Sequence, residues 1–292
     1  MRTRALSSTL VVIASLVTVA AGGPVFALFF ISVGAAAYRE YIELVARIRP
    51  RLPAFPVVVG YGAIVGFGIA ALLGAPIEAL FGVAMLAVVT PLAVLLLNPI
   101  PENAFTAWSL ASSGSLYLGL PVYSAIAIRS IPSADQSVWL SDLAIRLSRG
   151  WDATPLGLAW ALVVILATWV GDTVAYFVGS TWGKMKFVPA ISPNKTIEGA
   201  AGGLVGSMVI SALAFQSFGL GRWWQGLIVG GVIGLADQLG DLAESLLKRQ
   251  AGVKDSGAMI PGHGGMLDRI DALLFAFPAG FVIAAGFERV GT

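Results

Sequence analysis

At 292 residues, 57% apolar and only 12% charged, with a mean hydropathy of +0.86, the chain cannot be an ordinary soluble domain. A formal net charge of +2 is too small to argue for nucleic acid, and the absence of cysteine excludes disulfides and thiolate metal sites. Apolar runs of spanning length recur throughout, so the expected class is an all-α, polytopic integral membrane protein of about nine transmembrane helices.

Residues 1–129 are expected to form a transmembrane region of five spans. Arg2 and Arg4 precede an uncharged stretch from Ala5 to Tyr38, broken by Gly22-Gly23-Pro24, which reads as two short spans at 6–21 and 24–38. A signal peptide is the rival reading of the first, but no clear small-residue cleavage site leads into a soluble chain. Arg39-Glu40-Tyr41 and the cluster Arg47, Arg49, Arg51 read as a surface loop. Further spans follow at 55–74, 77–97 and 104–128, the last with a kink expected at Pro121. Residues 130–155 form a connecting segment, in which Val138–Leu147 reads as an amphipathic surface helix.

Residues 156–292 supply four more spans, at 156–179, 200–219, from 225 into a polar island, and at 270–287. With the N-terminus inside, 13 of the 18 Lys and Arg residues fall on the inner side. The positive-inside rule then puts the loops 180–198 and 244–270 together in the cytoplasm.

The polar island, Asp237 to Asp271, holds a large share of the charged residues and the only histidine. A carboxylate at the centre of a membrane helix costs about 2.5–3.5 kcal/mol on insertion scales, so one kept there is a functional candidate. Asp237, Asp241, Glu244/Ser245 and Lys248 recur at helical spacing and share a face; Asp268 and Asp271 do the same where the last span opens. Taken singly, each reads equally well as a helix cap or a membrane-flank anchor. Together, two acid-bearing helix ends joined by a loop rich in Gly, Lys and Arg suit Mg²⁺, which takes few carboxylates and is completed by substrate phosphates. The glycines around His263 let backbone N–H groups approach an anion, with Lys254, Arg269 and His263 as added donors. Ser192-Pro193-Asn194-Lys195-Thr196-Ile197-Glu198-Gly199 reads either as a helix cap or as a phosphate cradle at a helix N-terminus. Asp172, beside Thr173 in the sixth span, should face the bundle and a cationic or metal partner.

The run from Ser245 through Lys248-Arg249, Lys254-Asp255-Ser256-Gly257 and Pro261-Gly262-His263-Gly264-Gly265 to Asp268-Arg269-Ile270-Asp271 resembles the signature of phosphatidate cytidylyltransferases (CDP-diacylglycerol synthases). Gly171-Asp172-Thr173, Ser192–Gly199 and Gly240-Asp241 with Glu244-Ser245 are similar to that family's other blocks, in the same order. The resemblance covers 156–287; Val174 and Ser180 depart from the family's pattern. It implies that CTP and phosphatidate react to give CDP-diacylglycerol and pyrophosphate in phospholipid biosynthesis. The lipid would enter sideways from the bilayer and its phosphate would attack the α-phosphorus in line. It also implies Mg²⁺, with room for a second cation, held by Asp241 and Asp268 with Asp237, Asp271 and Asp172 next in line. Lys195, Lys248, Arg249, Lys254 and Arg269, with Asp255 beside them, would serve the reacting phosphates. Ser192, Asn194, Thr196, Glu198, His263, Gly264 and Gly265 would bind substrate. A homodimer is a further expectation. The rival readings are a CTP-dependent polyprenol or lipid kinase and an ion-coupled transporter. The full Ser245–Asp271 signature weighs against the first, and the clustering of polar residues at one membrane face weighs against the second.

Overall fold

A computed structural model describes residues 2–48, 54–97, 104–132, 146, 154–259 and 264–291. The chain is helical almost throughout, as its composition requires. α1 (Arg2–Ala21), α2 (Gly23–Ile48), α3 (Ala54–Leu72), α4 (Ile77–Leu97) and α5 (Ala104–Arg129) form the first half. After them come α6 (Pro155–Trp182), a hairpin of β1 (Lys186–Val188) and β2 (Ser192–Thr196), α7 (Ile197–Phe218) and α8 (Trp223–Gln250). A short turn of helix, α9 (Leu267–Ile270), precedes α10 (Leu273–Gly291).

Among the described residues, seven helices are long and apolar enough to cross a membrane, and Val12–Ala21 and Val57–Leu72 are shorter apolar helices. The protein is therefore an all-α polytopic membrane protein, with seven helices of spanning length among the described residues. The expected loop at 39–51 is corrected: α2 continues to Ile48 and buries Glu40 at 3% exposure. An amphipathic face explains the continuation, because Ala37, Tyr38, Tyr41, Leu44 and Val45 are buried while Arg39 pairs outward with Glu43 at 2.9 Å. Pro121 lies inside α5, which runs on to Arg129. The surface helix expected at 138–147 falls outside the described residues apart from Arg146.

The chain divides into two compact units, each drawn from separate stretches. The first comprises Met1–Ala14, Pro24–Ala127 and Leu247–Arg269. Its core is built from Tyr38, Leu44, Ile64, Phe67 and Leu118, with the Tyr41 hydroxyl donating to the Leu110 carbonyl at 2.9 Å. The second comprises Ser15–Gly23, Ile128–Leu246 and Ile270–Thr292. Trp160 packs edge-on against Phe215 at its centre, with Val163, Val164, Ile233 and Phe277 around them. Arg129, wholly buried, donates from Nε to the Val19 carbonyl at 2.7 Å, and from Nη2 to that of Ala20 at 3.3 Å. It thereby satisfies open carbonyls in the last turn of α1, where the helix dipole favours a cation. Thr154 holds the guanidinium from the other side.

Candidate active site

Within the second unit, α6 and α7 meet along a seam of small residues. Gly171, Ala175 and Gly179 recur at four-residue spacing on α6, as do Gly199, Gly203 and Ser207 on α7. A Cβ added at Gly203 would stand 2.8 Å from the Ala175 Cβ, so the two backbones approach as closely as this sequence permits. The Ser207 hydroxyl closes the seam with a 2.8 Å bond to the Ala167 carbonyl. α8 carries a matching stripe, Gly226, Gly230 and Gly234, against Ser211, Ala212 and Ser207 of α7. One turn further along that face come Asp237 and Gln238, and another turn brings Asp241. The packing that seats the glycines thus carries the acids to one place, and Gln238 fixes it by donating to the Ala200 carbonyl at 2.9 Å.

That place is a cavity of about 550 Å³. Its polar lining is Asp172 and Ser180 of α6, Asn194, Lys195 and Thr196 of β2, and Asp237, Gln238 and Asp241 of α8; Tyr176 and Phe187 add aromatic surface. Lys195 Nζ pairs with Asp241 Oδ2 at 2.5 Å, both side chains about a third exposed, and the Ser245 hydroxyl reaches Asp241 Oδ1 at 3.3 Å. Asp237 interacts electrostatically with Asp172, Asp271 and Asp241, and with Lys195. It is only 3% exposed, and its Oδ1 has no hydrogen-bond partner among the described residues. Gly240 lets α8 close on the backbone at Asp271, where an added Cβ would meet the Asp271 carbonyl at 2.5 Å.

The hairpin lines the cavity and is itself held in place from behind. Thr196 caps α7 by accepting from Gly199 N at 3.1 Å, and Glu198 accepts from Met185 N through both oxygens at 3.2 Å. Of the segment that reads from sequence as either cap or cradle, Thr196 does the capping, while Asn194 and Lys195 face the cavity. Ser192 opens β2 beyond the lining.

The first unit holds a second carboxylate cluster. Asp268 Oδ2 accepts from Ser256 N at 2.8 Å, the Ser256 hydroxyl at 2.9 Å and Gly265 N at 2.8 Å, while Oδ1 accepts from Lys248 Nζ at 2.7 Å. Glu40 accepts from the Ser256 hydroxyl at 2.8 Å, Met266 N at 2.9 Å and Leu267 N at 2.8 Å. The anion met by the Gly265 N–H is therefore the protein's own. Gly264 adopts φ +80, facing the Asp268 carboxylate. Lys254, Asp255, Arg249 and Arg269 are exposed, with Arg249 Nη1 donating to the Val253 carbonyl at 3.3 Å. His263 lies outside the described residues.

The structure thus gathers Asp172, Asn194, Lys195, Thr196, Asp237 and Asp241 around one cavity, and binds Lys248, Asp268 and Gly265 into one knot. Sequence reasoning missed Gln238, whose position beside Asp237 on the acidic face was the available signal. It also missed Glu40, for which no local signal exists: its partners lie 216 and more residues away.

A family model described as "Cytidylyltransferase family" matches residues 2–287. The chain is 48% identical over 124 residues to the phosphatidate cytidylyltransferase of Staphylococcus haemolyticus, covering 42% of this chain and 47% of that protein. Against the phosphatidate cytidylyltransferase of Staphylococcus aureus (strain COL) the identity is 47% over 126 residues, 42% of this chain and 47% of that protein. Against that of Thermotoga maritima it is 39% over 148 residues, 46% and 52% of the two chains. The chain spans about half the length of these curated relatives.

Proposed function

The chain belongs to the cytidylyltransferase family, and on that premise we propose that it is a phosphatidate cytidylyltransferase, converting CTP and phosphatidate to CDP-diacylglycerol and pyrophosphate. The observation that carries this reading is the charge of the cavity. Asp172, Asp237 and Asp241, with Asp271 close by, outnumber Lys195, yet both substrates are anions. A site of that sign receives a triphosphate only with a cation, and a hard divalent ion suits an all-oxygen set.

The residues fit Mg²⁺. Asp237 Oδ1 is buried without a partner, an acceptor that the chain itself does not use. Among the described residues no three acidic or imidazole groups converge as a ready-made cage. That agrees with Mg²⁺, which binds through one or two carboxylates and takes its remaining ligands from waters and phosphates. Asp241 and Asp237 would hold it, with Asp172 next in line; in the first unit, the Asp268 loop is proposed separately to serve the same reaction. When bound, such an ion neutralises phosphate charge and orients the leaving group.

The lipid phosphate is already ionised at neutral pH, so no general base is needed. One of its oxygens forms a bond to the α-phosphorus of CTP as the α–β bridging bond breaks, and pyrophosphate carries the electrons away. Lys195, now paired with Asp241, offers a charge-assisted donor that holds a phosphate in line. Asn194 and Gln238 add neutral donors, and the Thr196 cap keeps β2 in register with α7. Lys254 and Arg269 are exposed and offer further cationic donors for a phosphate.

The test follows the label. In proteoliposomes with phosphatidate and Mg²⁺, α-phosphate label of CTP should enter the chloroform phase with release of pyrophosphate, and chelation should abolish the transfer. γ-Label in lipid would give the reaction to a kinase; no CTP consumption would leave a transporter. The orientation is tested by Lys186→Cys and Ala258→Cys in a chain with no other cysteine. Impermeant reagent should label both from the cytoplasmic side, and labelling from opposite sides would refute it.

A further inference from the structure

We propose that Glu40 is a positioning residue for Asp268, acting through Ser256 and through the Met266 and Leu267 amides; the proposal rests on the reading above that the Asp268 loop serves nucleotidyl transfer. Glu40 sits on α2, outside every motif that pointed to chemistry, yet it is 3% exposed and carries a carboxylate. The donors it accepts from are neutral: the Met266 and Leu267 amides and the Ser256 hydroxyl, all at 2.8–2.9 Å. A buried carboxylate with only neutral donors is a poor way to stabilise a fold, since an apolar group of similar volume often does as well or better. What it does supply is direction. Met266 N and Leu267 N stand at the entrance of α9, the turn that carries Asp268, so Glu40 fixes the angle at which that turn begins.

Ser256 is the second link. Its oxygen stands 2.8 Å from Glu40 Oε2 and 2.9 Å from Asp268 Oδ2, and a hydroxyl has one proton to give. The two carboxylates therefore share a single donor. When Asp268 is drawn toward another partner, the proton turns to Glu40, so Ser256 does not have to lose its hydrogen bond. The Ser256 and Gly265 amides hold Asp268 independently of that proton, each at 2.8 Å. The loop is moulded to this contact. A Cβ on Gly257 would stand 2.6 Å from Glu40 Oε1, and one on Gly265 would collide with the Ser256 hydroxyl and the Glu40 carboxylate.

The deciding variant is Glu40→Gln, nearly equal in volume. Its amide nitrogen would face a donor where an oxygen now accepts, so a role in packing alone predicts near wild-type behaviour and a positioning role does not. Wild type, E40Q, S256A and the double variant would be compared in detergent for melting temperature, for kcat and KM in α-label transfer, and for hydrogen exchange at residues 256–268. We expect E40Q to melt near wild type, to exchange faster at Met266 and Leu267, and to lose kcat by about 10–100-fold while KM for CTP holds. Because the two residues act in one chain of contacts, the double variant should lose less than the product of the single losses. Wild-type kcat in E40Q, activity lost only in step with the amount of folded protein, or multiplicative losses would each overturn the proposal. An inactive wild type would refute the transferase reading itself. Exchange would then still decide the contact, and unchanged exchange at Met266 and Leu267 in E40Q would overturn it too.

Discussion

Two carboxylate clusters in one chain are satisfied in opposite ways. In the first unit, Glu40 and Asp268 are supplied with donors by the protein: a lysine, a shared hydroxyl and four backbone amides. In the second, Asp172, Asp237 and Asp241 share Lys195, and Asp237 leaves one oxygen buried with no hydrogen-bond partner among the described residues. The first arrangement sets geometry and depends on no ligand. The second gathers acids that repel one another around one lysine, an arrangement that a cation from outside would balance. Motif spacing alone treats these acids as a single set, whereas their donors separate them into two kinds.

If that division is right, neutralising an acid should have different consequences in the two places. The largest effect falls on the knot. Asp268→Asn keeps the size but sets an amide nitrogen among donors and removes the charge that Lys248 meets at 2.7 Å. Breaking a buried pair in this way costs about 3–5 kcal/mol, so a clear fall in melting temperature should accompany the loss of activity. An Asp268→Asn protein that melts like wild type would erase the contrast.

In the cavity the same change should separate activity from stability. Asp241→Asn or Asp237→Asn should reduce label transfer by about 10–100-fold, the usual loss when a metal-site group is altered. Their melting temperatures should hold, and Asp237→Asn should melt slightly higher because it relieves repulsion from Asp172, Asp271 and Asp241. A fall in melting temperature like that of Asp268→Asn would class the cavity acids with the knot. Lys195→Ala should raise KM for CTP or phosphatidate about tenfold, the worth of one charge-assisted bond to a phosphate, with the fold intact. Wild-type kinetics in that variant would leave Lys195 as nothing more than the partner of Asp241. The smallest effect is expected at Thr196→Ala, which removes a helix cap worth about 1 kcal/mol. It should lower stability slightly and change KM less than Lys195→Ala does.

Much of this was legible before any coordinates. The apolar runs, the Gly-Pro breaks and the acidic helical face of α8 follow from composition and period alone. So does the nomination of Asp172, Lys195, Asp237 and Asp241, although sequence could not say that they line one cavity. What sequence lacked was contact over distance. Arg39-Glu40-Tyr41 looks like the charged end of a short span, because an outward Arg39 and an inward Glu40 read alike in one dimension. Gly265 reads as room for an anion, and in the structure Glu40 and Ser256 stand where its Cβ would be. The hairpin was hidden as well, since Pro193 and Asn194 argue for a turn and its strands are only three and five residues long.

Arg129 carries a consequence for the order in which the protein is made. The carbonyls of Val19 and Ala20 at the end of α1 wait for a guanidinium that lies 110 and 109 residues downstream. At a ribosomal rate of about 5–20 residues per second, that interval is roughly 5–20 s. Through that time the first helix is in place while the last turn of its backbone is closed only by whatever water or lipid headgroups surround it. Thr154, which grips the same guanidinium, arrives 25 residues later still. α1 is thus completed by a residue more than a hundred positions downstream. A nascent chain truncated before Arg129 should therefore leave α1 frayed at its C-terminal end, whatever the hydropathy of its span.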